Sequence, residues 1–154
     1  MTAQPLTDAL EREHHEIDEG IEAYIASVTD GEPDQASILA AFDELRRHIY
    51  LEEEHLFPPL RSGGLMAPLM VMVREHGIIW QAMDQVAGLL DTDPQAAATA
   101  AQDLLKILAD HNMKEEPVVY PEADRNLGAE DSAALMDLIA TDHLPEGWVC
   151  QAVR

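Results

Sequence analysis

The sequence predicts an all-α fold, an up-down-up-down four-helix bundle followed by a short extra C-terminal helix. Three observations predict it. Apolar residues recur at helical spacing through most of the chain, breaks rich in proline and glycine divide it into helix-length pieces, and no useful length alternates with period two. In the first piece Leu10, Ile17, Ile21 and Ile25 line one face, and "TDGEPD", with Gly31 and Pro33, ends it. From Asp34 a second run carries Ile38, Leu39, Phe42, Leu45, Ile49 and Leu56 on to a stop at Pro58-Pro59. After the loop "RSGG" a third helix is expected from about Leu65 to Leu90, with Met66, Met70 and Met72 filling core space. "DTDP" then supplies N-cap oxygens and puts Pro94 at a favoured first helical position. The fourth helix should run from there to roughly Glu116, where Pro117 predicts a kink or a stop. A shorter helix over about Glu130 to Ala140 and a tail carrying Trp148 complete the chain.

Composition bounds what such a bundle can do. The 154 residues read as one domain over 1–154, long enough for one substantial core. Nine Lys plus Arg against thirty Asp plus Glu give 9 − 30 = −21. That charge repels nucleic acid and anionic membrane surfaces, so neither is expected as a partner. No apolar stretch is long enough to span a bilayer, and no signal-peptide pattern marks the start. The single cysteine, Cys150, excludes an intramolecular disulfide and a thiolate zinc cluster, so a reduced, cytoplasmic setting is expected.

The histidines carry the chemistry. His48 and Glu52 in "HIYLEEEHLFPPL" are four residues apart, about 40° apart around a helix and about 6 Å along it. His111 and Glu115 in "HNMKEEPVVYPEA" repeat that offset. In both units a second glutamate follows (Glu53, Glu116), then an aromatic nine residues after the histidine (Phe57, Tyr120), then a proline (Pro58, Pro121). Each unit is preceded by a helix bearing Glu-His with an isoleucine three residues on, "EHHEI" at His14 and "EHGII" at His76. The chain therefore contains one helical hairpin twice, with a period of about 62 residues. Four imidazoles and two carboxylates related in this way can hold two metal ions, two histidines to each, with each glutamate able to bridge. Imidazole and carboxylate without sulfur suit iron, with manganese or zinc as competitors. Six protein ligands for two ions leave positions for an oxo or hydroxo group or a small diatomic molecule.

These motifs, "EREHHEI", "HIYLEEEHLFP", "VREHGII" and "HNMKEEPVVYP", resemble the hemerythrin-like, or HHE cation-binding, domains. The resemblance covers about residues 8–123, leaving a C-terminal helix and tail over 124–154. Position by position it implies His14, His48, Glu52, His76, His111 and Glu115 as metal ligands of a non-heme di-iron centre bridged by Glu52 and Glu115. It implies an association with dioxygen, nitric oxide or peroxide responses, or with iron handling. Oxygen-carrying members place two histidines four apart on the third helix, whereas Met72 and Trp80 flank His76 at that spacing here. Those carriers also end the last motif with an aspartate five residues after its histidine, where this chain has Glu115 at four and Glu116 at five. The pattern is more similar to the four-His, two-Glu bacterial branch linked to iron-centre repair and stress responses.

The remaining polar residues are assigned to the background of the site. His15 points about 100° from His14 and reads as rim or surface. His55 shares the ligand face one turn deeper, in an ExxH spacing used by di-iron bundles, and is a candidate additional ligand or a polar lining residue. Its counterpart in the second repeat is Val118, which gives it no partner. Glu53, Glu54 and Glu116 are rotated from the ligand face and read as solvated or touching a ligand rather than the metal. Asp18 reads as rim, Cys150 as inert and His143 as surface. Three functions share the same residues: binding or sensing oxygen, nitric oxide or oxidants; delivering iron to or repairing iron centres; and reducing peroxide or nitric oxide as an enzyme. No electron-entry motif is visible, which sets the enzymatic reading behind the other two.

Overall fold

A computed structural model of the chain describes residues 5–154. Helix α1 spans Pro5–Thr29 and α2 spans Gln35–Leu51. The second helix continues through a π-helical turn, Glu52–Leu56, into α3, Phe57–Leu60, and a 3-10 turn, Arg61–Gly63. Helix α4 covers Met66–Leu89, α5 covers Pro94–Asn126 and α6 covers Ala129–Thr141. Helix α1 packs on α2 and α5, and α4 packs on α5 and α2, closing a four-helix ring with no strand among the described residues. Short polar connections enforce antiparallel neighbours. The Asp34 and Asp93 carboxylates accept the Ser37 and Ala96 N–H groups at the starts of α2 and α5, and Pro94 occupies the first turn.

The stop expected at Pro58-Pro59 does not occur, and of the kink or stop expected at Pro117 the stop does not occur. Pro58 and Pro59 lie within a continuing helical path, because the π turn at Glu52–Leu56 absorbs the register change, with Phe57 N–H bonded to the Glu52 carbonyl. Helix α5 runs unbroken through Pro117 and Pro121. Pro117 lies on the outer face and leaves the carbonyl of exposed Met113 to water, so losing that N–H costs little next to burying Val119, Tyr120 and Ala123. The methionine expectation also divides. Met72 is core, while Met66 and Met70 are exposed, and Leu39 faces out as well.

The core is two apolar clusters. One contains Ile17, Ile21, Phe42, Leu45, Ile79 and Leu108; the other contains Leu10, Leu56, Phe57, Met72, Val119 and Tyr120. Buried histidines and glutamates lie among them. Helix α6 packs on α1 and adds Leu135 to the second cluster. The tail then crosses to α4, where a Cβ on Gly77 would come within 2.6 Å of Ala152, so only glycine admits this approach. Cys150, free and buried, joins the first cluster. Among the described residues no helix is long and apolar enough to cross a membrane.

Candidate metal centre

Each of the four long helical segments turns one histidine inward. His14, His48, His76 and His111 are buried, as are Glu52 and Glu115. The π turn starts at Glu52, the residue that must face the axis one turn after His48. Two groups of possible ligand atoms result: His14, His48, Glu52 and Glu115, and Glu52, His76, His111 and Glu115, each with its atoms within 4.8 Å of one another. The carboxylates are shared in a specific sense. Glu52 directs Oε2 to His48 Nε2 at 3.2 Å and Oε1 to His76 Nε2 at 3.1 Å. Glu115 directs Oε1 to His14 Nε2 at 3.3 Å and Oε2 to His111 Nε2 at 3.5 Å.

A second ring of carboxylates fixes the imidazoles. His48 Nδ1 meets Glu13 at 2.7 Å, and His111 Nδ1 meets Glu75 at 2.9 Å. His76 Nδ1 meets Glu53 and His14 Nδ1 meets Glu116, both at 2.7 Å. The pairing follows the repeat. Glu13 and Glu75 each precede a histidine, and Glu53 and Glu116 each follow a candidate bridging glutamate. An Nδ1–H donated outward leaves each Nε2 lone pair facing inward, the tautomer that coordination needs. The ring is itself anchored, Glu13 by Arg47, Glu75 by Lys114, and Glu53 by the Gln151 backbone N–H at 2.9 Å. Glu53 is therefore a buried part of the site rather than a solvated neighbour, while Glu54 is exposed and accepts from Trp148 and Arg154.

The electrostatics of these side chains follow from their crowding. Burial alone would lower the histidine values, but Glu52 and Glu13 hold His48 well above the ordinary range, and Glu115 and Glu116 raise His14. Burial likewise opposes protonation of His76, yet the Glu52 and Glu53 carboxylates that its two ring nitrogens face raise it to about 9. Burial would push Glu115 up, but His111 and His14 hold it well below the usual carboxylate range. Burial and the charges of Glu115 and Glu52 push the Tyr120 phenol well up. Protons thus occupy the interior where a cation would compete for the same lone pairs.

The residues fit a cation on an independent ground. Glu52 Oε1, His76 Nε2 and Glu115 Oε2 are buried and make no hydrogen bond, a costly state unless something positive completes them. Beside both histidine pairs lies a cavity of ≈ 10 Å³, room for about one water-sized molecule. Apolar Ile17, Leu45, Ile49, Ile79 and Leu108 line it, with half-buried Asp18 and Asn112 among its other walls.

All six candidate ligands named from the sequence are brought together. His55 is not with them; it sits half-buried beside Tyr50 and Asp142, because the π turn carries it off the ligand face. His15 and His143 are exposed. Tyr120 was not assigned to the site, yet its hydroxyl lies 2.6 Å from Glu52 Oε2, 2.7 Å from Glu115 Oε1, 3.0 Å from His14 and 3.1 Å from His48. Its place nine residues after His111 was the available signal, as was the repetition of Glu-His for Glu13 and Glu75.

Comparison with known proteins gives a family match and several relatives. The family model of the hemerythrin HHE cation binding domain matches residues 5–123. The iron-sulfur cluster repair proteins YtfE of Yersinia pestis (strain Pestoides F) and of Yersinia pseudotuberculosis serotype O:1b (strain IP 31758) are each 32% identical over 102 residues, 58% of this chain and 46% of theirs. The chain thus spans about half the length of the curated relatives it matches. No solved structure matches it.

Proposed function

The chain belongs to the hemerythrin HHE cation-binding domain family, and from that premise we propose that it is a non-heme di-iron protein. In this reading His14 and His48 hold one ion, His76 and His111 the other, and Glu52 and Glu115 bridge them. The observation that carries it is the division of each shared carboxylate, one oxygen toward each histidine pair. Bound there, iron supplies one-electron redox chemistry and open coordination positions. The chain's own part is to fix four Nε2 lone pairs through Glu13, Glu53, Glu75 and Glu116, and to keep bulk water out with the two apolar clusters. The ≈ 10 Å³ cavity beside both histidine pairs has room for about one water-sized molecule, which favours binding or sensing a species as small as dioxygen or nitric oxide in a stress response.

A second reading, iron delivery or iron-centre repair, is favoured by the likeness to iron-sulfur cluster repair proteins. The two separate experimentally. Iron content and the near-ultraviolet spectrum, taken under air and under nitrogen, test the centre itself: two irons per chain with oxo-to-iron absorption in air are expected. One zinc per chain, unchanged by iron supplementation, would overturn the di-iron reading. Restoration of a dehydratase whose iron-sulfur cluster has been damaged by peroxide, by the iron-loaded protein but not the metal-free one, would then select repair over sensing.

A further inference from the structure

The two halves of the site differ in one respect that the repeat makes visible. Nine residues after each helical His-x3-Glu histidine stands an aromatic residue, and both lie in the same apolar cluster. Phe57 stacks on His76, with ring centroids 5.8 Å apart and planes 13° from parallel. Tyr120 lies correspondingly against His14, with centroids 5.6 Å apart. The difference between them is a hydroxyl, which reaches all four candidate ligand residues of the first group at 2.6 to 3.1 Å. Among the described residues the second group has no such hydroxyl, and His76 Nε2, Glu52 Oε1 and Glu115 Oε2, each facing that group, are left without hydrogen bonds.

We propose that Tyr120 is a further ligand, a phenolate on the iron held by His14 and His48. The proposal rests on the di-iron reading above. Coordination requires neutral imidazoles and ionised carboxylates. With Nδ1–H donated outward, Glu52, Glu115, His14 and His48 then present four acceptors to a phenol that has one proton. Four acceptors around one donor are not a stable hydrogen-bond set, whereas five lone-pair donors around one cation are a coordination shell. Phenolate oxygen is a hard donor of the kind ferric iron takes, as tyrosinate does in haem proteins. On loading with ferric iron the phenol O–H bond breaks, the O–iron bond forms, and the proton passes to solvent; no electron moves. Tyr120 belongs to the opposite apolar cluster from the apolar residues lining the small cavity, so ligation does not fill that cavity. Phe57 offers the second iron nothing equivalent, so the exchangeable position falls to the ion at His76 and His111.

The test uses the full chain loaded with iron in air, with iron counted per chain. A visible phenolate-to-iron charge-transfer band is expected, and resonance Raman excited within it should show phenolate ring modes that shift when ring-deuterated tyrosine is incorporated. Tyr120→Phe, which installs the residue the first repeat already carries at this position, should keep two irons and lose both band and modes. Two irons per chain without phenolate modes in the unaltered protein would overturn the proposal and leave the di-iron reading standing; so would a band that survives Tyr120→Phe. Absence of bound iron would overturn both. Should the variant fail to fold, the labelled Raman spectrum of the unaltered chain decides alone.

Discussion

Replacing Glu53 by glutamine should weaken iron binding far more than replacing Glu116, although both carboxylates bond a candidate ligand histidine at 2.7 Å. Glu53 is 1% exposed and both its oxygens are engaged, Oε2 with His76 Nδ1–H and Oε1 with the Gln151 N–H. An amide can keep one of these contacts, but its NH2 then faces the other N–H donor inside the protein. Losing one buried, charge-assisted hydrogen bond is worth about 1.5–3 kcal/mol. If the loss falls on the metal-bound state, that is about ten- to 150-fold in affinity at the His76 and His111 position. Glu116 has a side chain 32% exposed and uses one oxygen, so glutamine there keeps its carbonyl on His14 and turns its NH2 to water. Its cost should stay below about tenfold, since only a screened charge is lost. The assay is anaerobic titration of metal-free protein with ferrous iron against a chelator of known affinity. Circular dichroism and thermal melts of each metal-free variant check that it is folded. Glu53→Gln within about threefold of the unaltered chain, or Glu116→Gln the more damaging of the two, would refute the reasoning from burial and outer carboxylate support.

Other outcomes follow from the same geometry. His14→Ala should lose iron and His15→Ala retain most of it, because His14 is buried at the centre and His15 exposed; equal losses by elemental analysis would contradict the helix register. Glu52→Ala should abolish the paired centre, whereas Glu54→Ala leaves its spectrum nearly intact; the reverse pattern would mean that the helix faces the core through its other side. In metal-free protein His76, raised to about 9, contributes stability that is fully present below its unfolded value of about 6.5 and lost as pH rises through the folded one. The melting temperature without metal should therefore fall between pH 6.5 and pH 9.5. Iron-stabilised protein should gain over that range relative to metal-free protein, because fewer protons compete for the ligands. A metal-free melting temperature that rises over this interval would contradict the assignment.

Much of the candidate site was legible locally because helical periodicity is a local property. A histidine and a glutamate four apart share a helix face wherever the helix lies, and the doubled hairpin put six such residues on four faces before any packing was known. The N-caps at Asp34 and Asp93 were legible for the same reason, since their bonds close within three residues. Proline did not end the helix at Pro58 or at Pro117, because its local cost is set by where the freed carbonyl points and by what the continued helix buries. Met66 and Met70 share a composition with Met72 but not a face toward the core, which only the neighbouring helices define.

What the sequence determined by itself is the helical hairpin, its repetition, and the chemical identity of the inward-facing donors. What tertiary structure alone decided is every relation between helices. It pairs Glu13 with His48 and Glu75 with His111, directs the two oxygens of each shared glutamate to different histidines, and brings Gln151 to Glu53 from 98 residues away. It also sets the Tyr120 hydroxyl among ligands from two helical segments besides its own. The physical reason is range: a backbone hydrogen bond or a helix face is set within one or two turns, whereas a hydrogen bond between helices depends on the rotation and offset of whole rods. Those are fixed only when the apolar clusters on either side of the site pack together.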